Sequence, residues 1–172
     1  MTTTSDTEKK LVESNCLEKA SNDNARKVVK ACEKHWEANK ADCNKFLKAV
    51  ANELGISDFA SLGNADSIIN YLEGAPSGWT KLDRGEHDTA HSKSVAGSFV
   101  VAGLLSTDMN RDNGHVSVIT CGDKVRSVGD AIDYPRGYWG TLGGEGKQCE
   151  GMNYSFPSPA RKQLRYYYRA LP

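Results

Sequence analysis

The apolar positions of this chain change period near its middle. Over residues 24–72 they recur at helical spacing. Ala25, Val28, Val29, Cys32 and Trp36 form one stripe with lysines and an arginine between them, and Asn24 stands where a cap belongs. Phe46, Leu47, Val50 and Leu54 form a second stripe, with Asp42 as N-cap and Gly55 where a helix ends, so this helix begins at Cys43. A third, shorter helix is capped near Asn64 and turns Ile68, Ile69 and Leu72 inward, before Ala75-Pro76-Ser77-Gly78 stops it. The polar stretch 79–94 reads as loop or solvated helix. From residue 98 the pattern is that of strands. Ser98-Phe99-Val100-Val101-Ala102-Gly103-Leu104-Leu105 is a continuous apolar run, as in a strand buried on both faces, and 115–120 alternate. The glycine-rich stretch 125–154 holds a strand near 138–142. In a last strand Leu164, Tyr166 and Tyr168 share one face against Arg165, Tyr167 and Arg169. Helices first and antiparallel strands afterwards predict an α+β domain.

A chain of 172 residues is long enough to bury one substantial core. Residues 1–23 read as a polar arm over Leu11, Val12 and Cys16, and 24–172 as the domain. Lys plus Arg and Asp plus Glu are 22 each, so no polyanion-binding surface is advertised and nucleic acid is not expected as a partner. No apolar run approaches the roughly 20 residues needed to cross a bilayer. The opening Met1-Thr2-Thr3-Thr4-Ser5-Asp6 has neither the basic nor the apolar part of a signal peptide, so export by the general route is not expected.

Cysteine and histidine carry the candidate chemistry. The 5 cysteines include no CxxC pair, which leaves a structural zinc site unsupported; the odd count fits one reactive thiol plus up to two disulfides. If a pair closes, Cys121 and Cys149 are the expected partners, the alternative being two unpaired thiols. His87 and His91, four apart, read as solvated residues and not as metal ligands, and His35 as a surface histidine. Cys43 differs from the other thiols. At the first helical position it lies among N–H groups without intrahelical partners, and these with the helix dipole favour a thiolate, lowering its pKa below the usual value of roughly 8.5. Acyl transfer by a thiol also needs a base, and His115 opens a strand beside Gly114, which would let a substrate backbone approach. The bland alternatives are a small apolar plug at a helix start and an exposed histidine at a strand end.

Asp42-Cys43-Asn44 running to Ala51-Asn52-Glu53-Leu54-Gly55 resembles the nucleophile helix of the type VI secretion amidase effectors, family one. Gly63-Asn64-Ala65-Asp66, Gly78-Trp79-Thr80-Lys81-Leu82, Phe99-Val100-Val101-Ala102-Gly103-Leu104 and Gly114-His115-Val116-Ser117-Val118 follow in the family's order, and the similarity runs from about residue 28 to 168. The resemblance implies a papain-like NlpC/P60 fold with the nucleophile helix packed on an antiparallel sheet. It further implies a peptidoglycan amidase that cleaves the γ-D-glutamyl–meso-diaminopimelate bond of cell-wall stem peptides, with Cys43 as nucleophile and His115 as base. No metal or cofactor is required. The expected partners are the stem peptide, the type VI secretion apparatus and a cognate immunity protein covering the site, and the expected place of action is the periplasm of a target bacterium. Where wider NlpC/P60 enzymes orient the histidine with a polar side chain, this chain has Trp139, whose backbone carbonyl is the expected substitute. The family's disulfide to a cysteine near the C-terminus has no counterpart in Tyr168-Arg169-Ala170-Leu171-Pro172, so any disulfide is rearranged. A phage-type or housekeeping wall lysin, or a non-catalytic binding domain, are the rival readings.

Overall fold

A computed structural model describes residues 13–172. The chain enters through one helical turn, α1 (Asn15–Glu18), capped by Ser14. In α2 (Asp23–Asn39) the cap is Asn22 and not Asn24: its side chain accepts the Ala25 N–H at 2.8 Å, starting the helix ahead of its apolar stripe. α3 (Cys43–Glu53) and α4 (Ala65–Glu73) start where expected, on Asp42 and Asn64. β1 (Thr80–Lys81) and α5 (His87–Val95) occupy the stretch read as polar. The buried positions of α5 are His87, Ala90 and Ser94, which carry little apolar signal.

β2 (Phe99–Leu104), α6 (Ser106–Met109) and β3 (His115–Ile119) come next, then the hairpin β4 (Val125–Ser127) with β5 (Ile132–Tyr134). β6 (Arg136–Trp139), β7 (Lys147–Gly151), α7 (Met152–Ser155), a 3-10 turn at Ala160–Gln163 and β8 (Arg165–Arg169) complete the chain. The antiparallel sheet has the order β1-β8-β2-β3-β6-β7. Phe99 and Val101 of β2 pack among α2, α3 and α4, while Val100, Ala102 and Leu104 pack on the other face with Tyr134, Met152, Phe156 and Tyr166. Two covered faces explain the uninterrupted apolar run of β2. They also cover β8 on both sides: the face of Leu164, Tyr166 and Tyr168 packs with the second group, Tyr167 packs with the first, and Tyr166 and Tyr167 are both buried. Each keeps a partner for its hydroxyl: Tyr167 donates to Glu73 at 2.5 Å, and Tyr166 lies 2.8 Å from His87 Nδ1.

Two ties hold the ends of the active region. Cys16 and Cys149 are disulfide-bonded, joining α1 to the edge strand β7, and Cys121 is free, its thiol donating to the Cys16 carbonyl at 3.3 Å. The Cys121–Cys149 pairing is therefore overturned, and part of the expected arm belongs to the folded body; Leu11 and Val12 lie outside the described residues. β6 ends at Trp139, earlier than read, because Gly140 turns the chain onto the α2–α3 connection. Thr141 and Gly146 donate backbone N–H groups to Lys40 O at 2.9 and 2.8 Å. A Cβ on Gly140 would overlap the carbonyl oxygens of Asn39 and Asp42, so only glycine lets this loop clamp the residues before Cys43. No helix among the described residues is long and apolar enough to cross a membrane.

Candidate active site

Cys43 is the first residue of α3. Asp42 is extended (φ −154°, ψ 114°), and its carboxylate accepts the Asn44 and Lys45 N–H groups at 2.9 and 3.0 Å. The N–H of Cys43 itself has no hydrogen-bond partner among the described residues. Behind it Phe46, Leu47 and Val50 anchor the helix in the core. The thiol lies 3.6 Å from Asn44 Oδ1 and against the backbone N–H of Val116, so the helix start meets the start of β3. Its pKa does not fall. Burial dominates, leaving the residue 4% exposed, and the Asp42 charge adds to it; together they outweigh the N–H groups of Val116, Cys43 and Asn44 and push the thiol up to about 11. The carboxylate that caps the helix also opposes ionisation of its first side chain.

His115 opens β3 opposite Leu104. The fold itself requires glycine at the preceding Gly114: a Cβ there would overlap the Asp66 carboxylate, which accepts the Ser106 N–H at 2.9 Å. The half-buried His115 ring meets Phe156 edge-on, with centroids 4.9 Å apart. Nε2 lies 2.9 Å from Ser155 Oγ, which lies 2.7 Å from Ser117 Oγ. Burial, with the nearby Arg111 charge, pushes the imidazole down to about 4. The resting site therefore holds a neutral thiol and a neutral imidazole.

The Trp139 carbonyl is occupied elsewhere: it accepts the Trp36 indole N–H at 3.0 Å, while Ser155 is the partner of His115 Nε2. Ser155 lies 40 positions from His115 at the end of the glycine-rich stretch, just past residue 154, in a helix of 4 residues that no periodicity reveals. His87 is not solvated, being buried against Tyr134 and hydrogen-bonded to Tyr166; His91 Nε2 lies 2.9 Å from Gly122 O, and His35 pairs with Glu53 at the surface. Among the described residues no group of three or more His, Cys, Asp or Glu side chains is arranged to hold a metal ion.

Over His115 opens a cleft of about 310 Å³, lined by Arg111, Asp112, Asn113, Thr141, Leu142 and Ser155 among others. Thr141 belongs to the loop that clamps the α2–α3 connection, which places the start of α3 beside the cleft. Every other arginine of the chain has a side-chain hydrogen bond or ion pair; Arg111 has none among the described residues. A thiol at a helix start, an imidazole on the adjoining strand and an open cleft that carries one cation, Arg111, and one carboxylate, Asp112, can perform nucleophilic acyl transfer on a small charged substrate.

No family model matches the chain. The chain is similar to peptidoglycan amidase Tse1 of Pseudomonas aeruginosa, with 31% identity over 154 residues, covering 84% of this chain and 90% of the relative.

Proposed function

Since the chain belongs to the type VI secretion amidase effectors of family one, we propose that it is an antibacterial cysteine amidase of peptidoglycan, acting on the γ-D-glutamyl–meso-diaminopimelate bond of stem peptides. The amidase domain is residues 24–172 together with the α1 segment that Cys16–Cys149 ties to it, with a papain-like NlpC/P60 arrangement: the α3 start packed on β3 of an antiparallel sheet. The observation that carries the reading is Cys43, set at that helix start against the backbone of Val116, next in chain to His115.

The reaction starts from the neutral pair. As Cys43 Sγ attacks the glutamyl carbonyl carbon, its proton passes to His115, and the carbonyl oxygen gains the negative charge. The free Cys43 N–H faces that oxygen; the Asn44 and Lys45 N–H groups are committed to Asp42 and take no part. Collapse breaks the C–N bond, His115 returns its proton to the leaving amine, and a thioester remains. Water then attacks the thioester, its proton going to His115 and back to the departing sulfur. Arg111 supports the choice of substrate, because a stem peptide presents free carboxylates near the scissile bond and the cleft offers them an unpaired guanidinium. The type VI apparatus delivers the protein to the periplasm of the target cell, and an immunity protein in the producing cell covers the cleft.

The test is digestion of purified sacculi, with released peptides identified by mass. The wild type is expected to free peptides that begin with diaminopimelate and to leave stems ending in D-glutamate on the glycan, whereas Cys43→Ala and His115→Ala are expected to be folded and inactive. Substantial hydrolysis by either variant refutes the assignment.

A further inference from the structure

Ser155 holds the candidate base from a segment that is itself fastened down. α7 is seated by the buried Met152, whose N–H donates to Pro135 O at 3.0 Å, and by Phe156, buried beside it. Arg161 donates to the Asn153 carbonyl at 2.9 Å and is itself paired with Asp130, which also accepts the Tyr134 hydroxyl. Ser155 Oγ is thereby fixed between two partners, His115 Nε2 at 2.9 Å and the fully buried Ser117 Oγ at 2.7 Å. His115 and Ser117 lie two apart on β3 and face the same side of the sheet, so the strand's own period aligns them with α7. With Phe156 against one edge of the ring, the imidazole is held at Nε2 and at its edge, leaving Nδ1 for the cleft.

From this arrangement we infer that Ser155, backed by Ser117, is the positioning residue of His115. The inference rests on the reading of His115 as the general base. A hydroxyl pair suits that role better than a carbonyl. A carbonyl only accepts, whereas each serine both donates and accepts. In the neutral site Nε2–H donates to Ser155 and Ser155 donates to Ser117, which leaves the Nδ1 lone pair to take the thiol proton. When His115 gains that proton at Nδ1, the same two hydrogen bonds persist, so both protonation states keep the ring in place without movement of heavy atoms. Orientation of the ring is then maintained through the whole proton cycle.

The experiment compares Ser155→Ala, Ser155→Thr and Ser117→Ala with the wild type in hydrolysis of a soluble stem peptide, alongside ¹⁵N spectra of the histidine ring. Ser155→Ala is expected to lower kcat by about a hundredfold, the scale for a misplaced reacting group, with little change in KM. It should also shift the His115 Nε2 resonance. Ser155→Thr should recover most of the rate, and Ser117→Ala should lose less than Ser155→Ala. If Cys43→Ala and His115→Ala are dead while Ser155→Ala keeps full kcat, the inference falls and the catalytic reading stands. If Cys43→Ala or His115→Ala is active, both fall together. Should Ser155→Ala fold poorly, an unchanged Nε2 resonance together with full kcat in folded Ser117→Ala overturns the inference by itself.

Discussion

Cys43 should alkylate with the pH dependence of an unactivated thiol. With its pKa at about 11, roughly one molecule in ten thousand carries the thiolate at pH 7, and one in a hundred at pH 9. The imidazole titrates near 4. Moving the proton from sulfur to ring across that gap costs roughly 9 kcal/mol, and even two unit charges brought to about 4 Å would return only about 4 kcal/mol at an effective dielectric of 20. The neutral pair therefore wins by several kcal/mol, and the proton moves only when substrate is attacked. The assay is iodoacetamide labelling from pH 6 to 10, with the Cys43 peptide quantified by mass so that Cys32 and Cys121 do not interfere. The labelling rate is expected to climb about tenfold per pH unit above pH 7 without a plateau. Replacing His115 by Asn should leave that slope unchanged. A plateau below pH 8, or a rate that falls when His115 is removed, would mean that a thiolate–imidazolium pair exists at rest and that the burial argument is wrong.

Arg111→Ala is expected to raise KM for a carboxylate-bearing stem peptide about tenfold at nearly constant kcat, and an unchanged KM would exclude carboxylate binding there. Stability should rise with pH between about 4 and 6.5: His115 titrates near 4 when folded and near 6.5 when unfolded, so the unfolded chain binds more protons across that window. Its full contribution is roughly 3 kcal/mol, with buried His87 acting in the same direction, and urea titrations of wild type and His115→Asn at pH 4.5 and 7 check it. Removing the Cys16–Cys149 link by Cys149→Ser opens a closure of 133 positions; the chain-entropy model assigns it roughly 5 kcal/mol, or a Tm loss of at least about 10 °C, while Cys121→Ser should cost far less. A thermal melt with and without reductant measures this, and equal losses in the two variants would contradict the pairing.

The α+β class, the three main helices and the position of Cys43 were legible in the sequence because local physics dictates them. An amphipathic stripe, a short polar cap and a stop glycine act within a few residues of one another, as do the continuous run of β2 and the alternation that begins at His115. What the tertiary structure decided is everything that depends on partners far along the chain. Cys149 pairs with Cys16 and not with Cys121 because β7 lies at the sheet edge beneath α1, a placement no spacing reveals. α5 folds as a helix on His, Ala and Ser because the second face of the sheet accepts it. Ser155, not the Trp139 carbonyl, meets His115, since the pairing of β6 and β7 beside β3 carries α7 back to a strand 40 positions away. The charge state of the site belongs to the same class. The helix start favours a thiolate locally, yet the packed environment that carries Cys43 into the core, and the carboxylate that caps its helix, cost the anion more than the dipole returns.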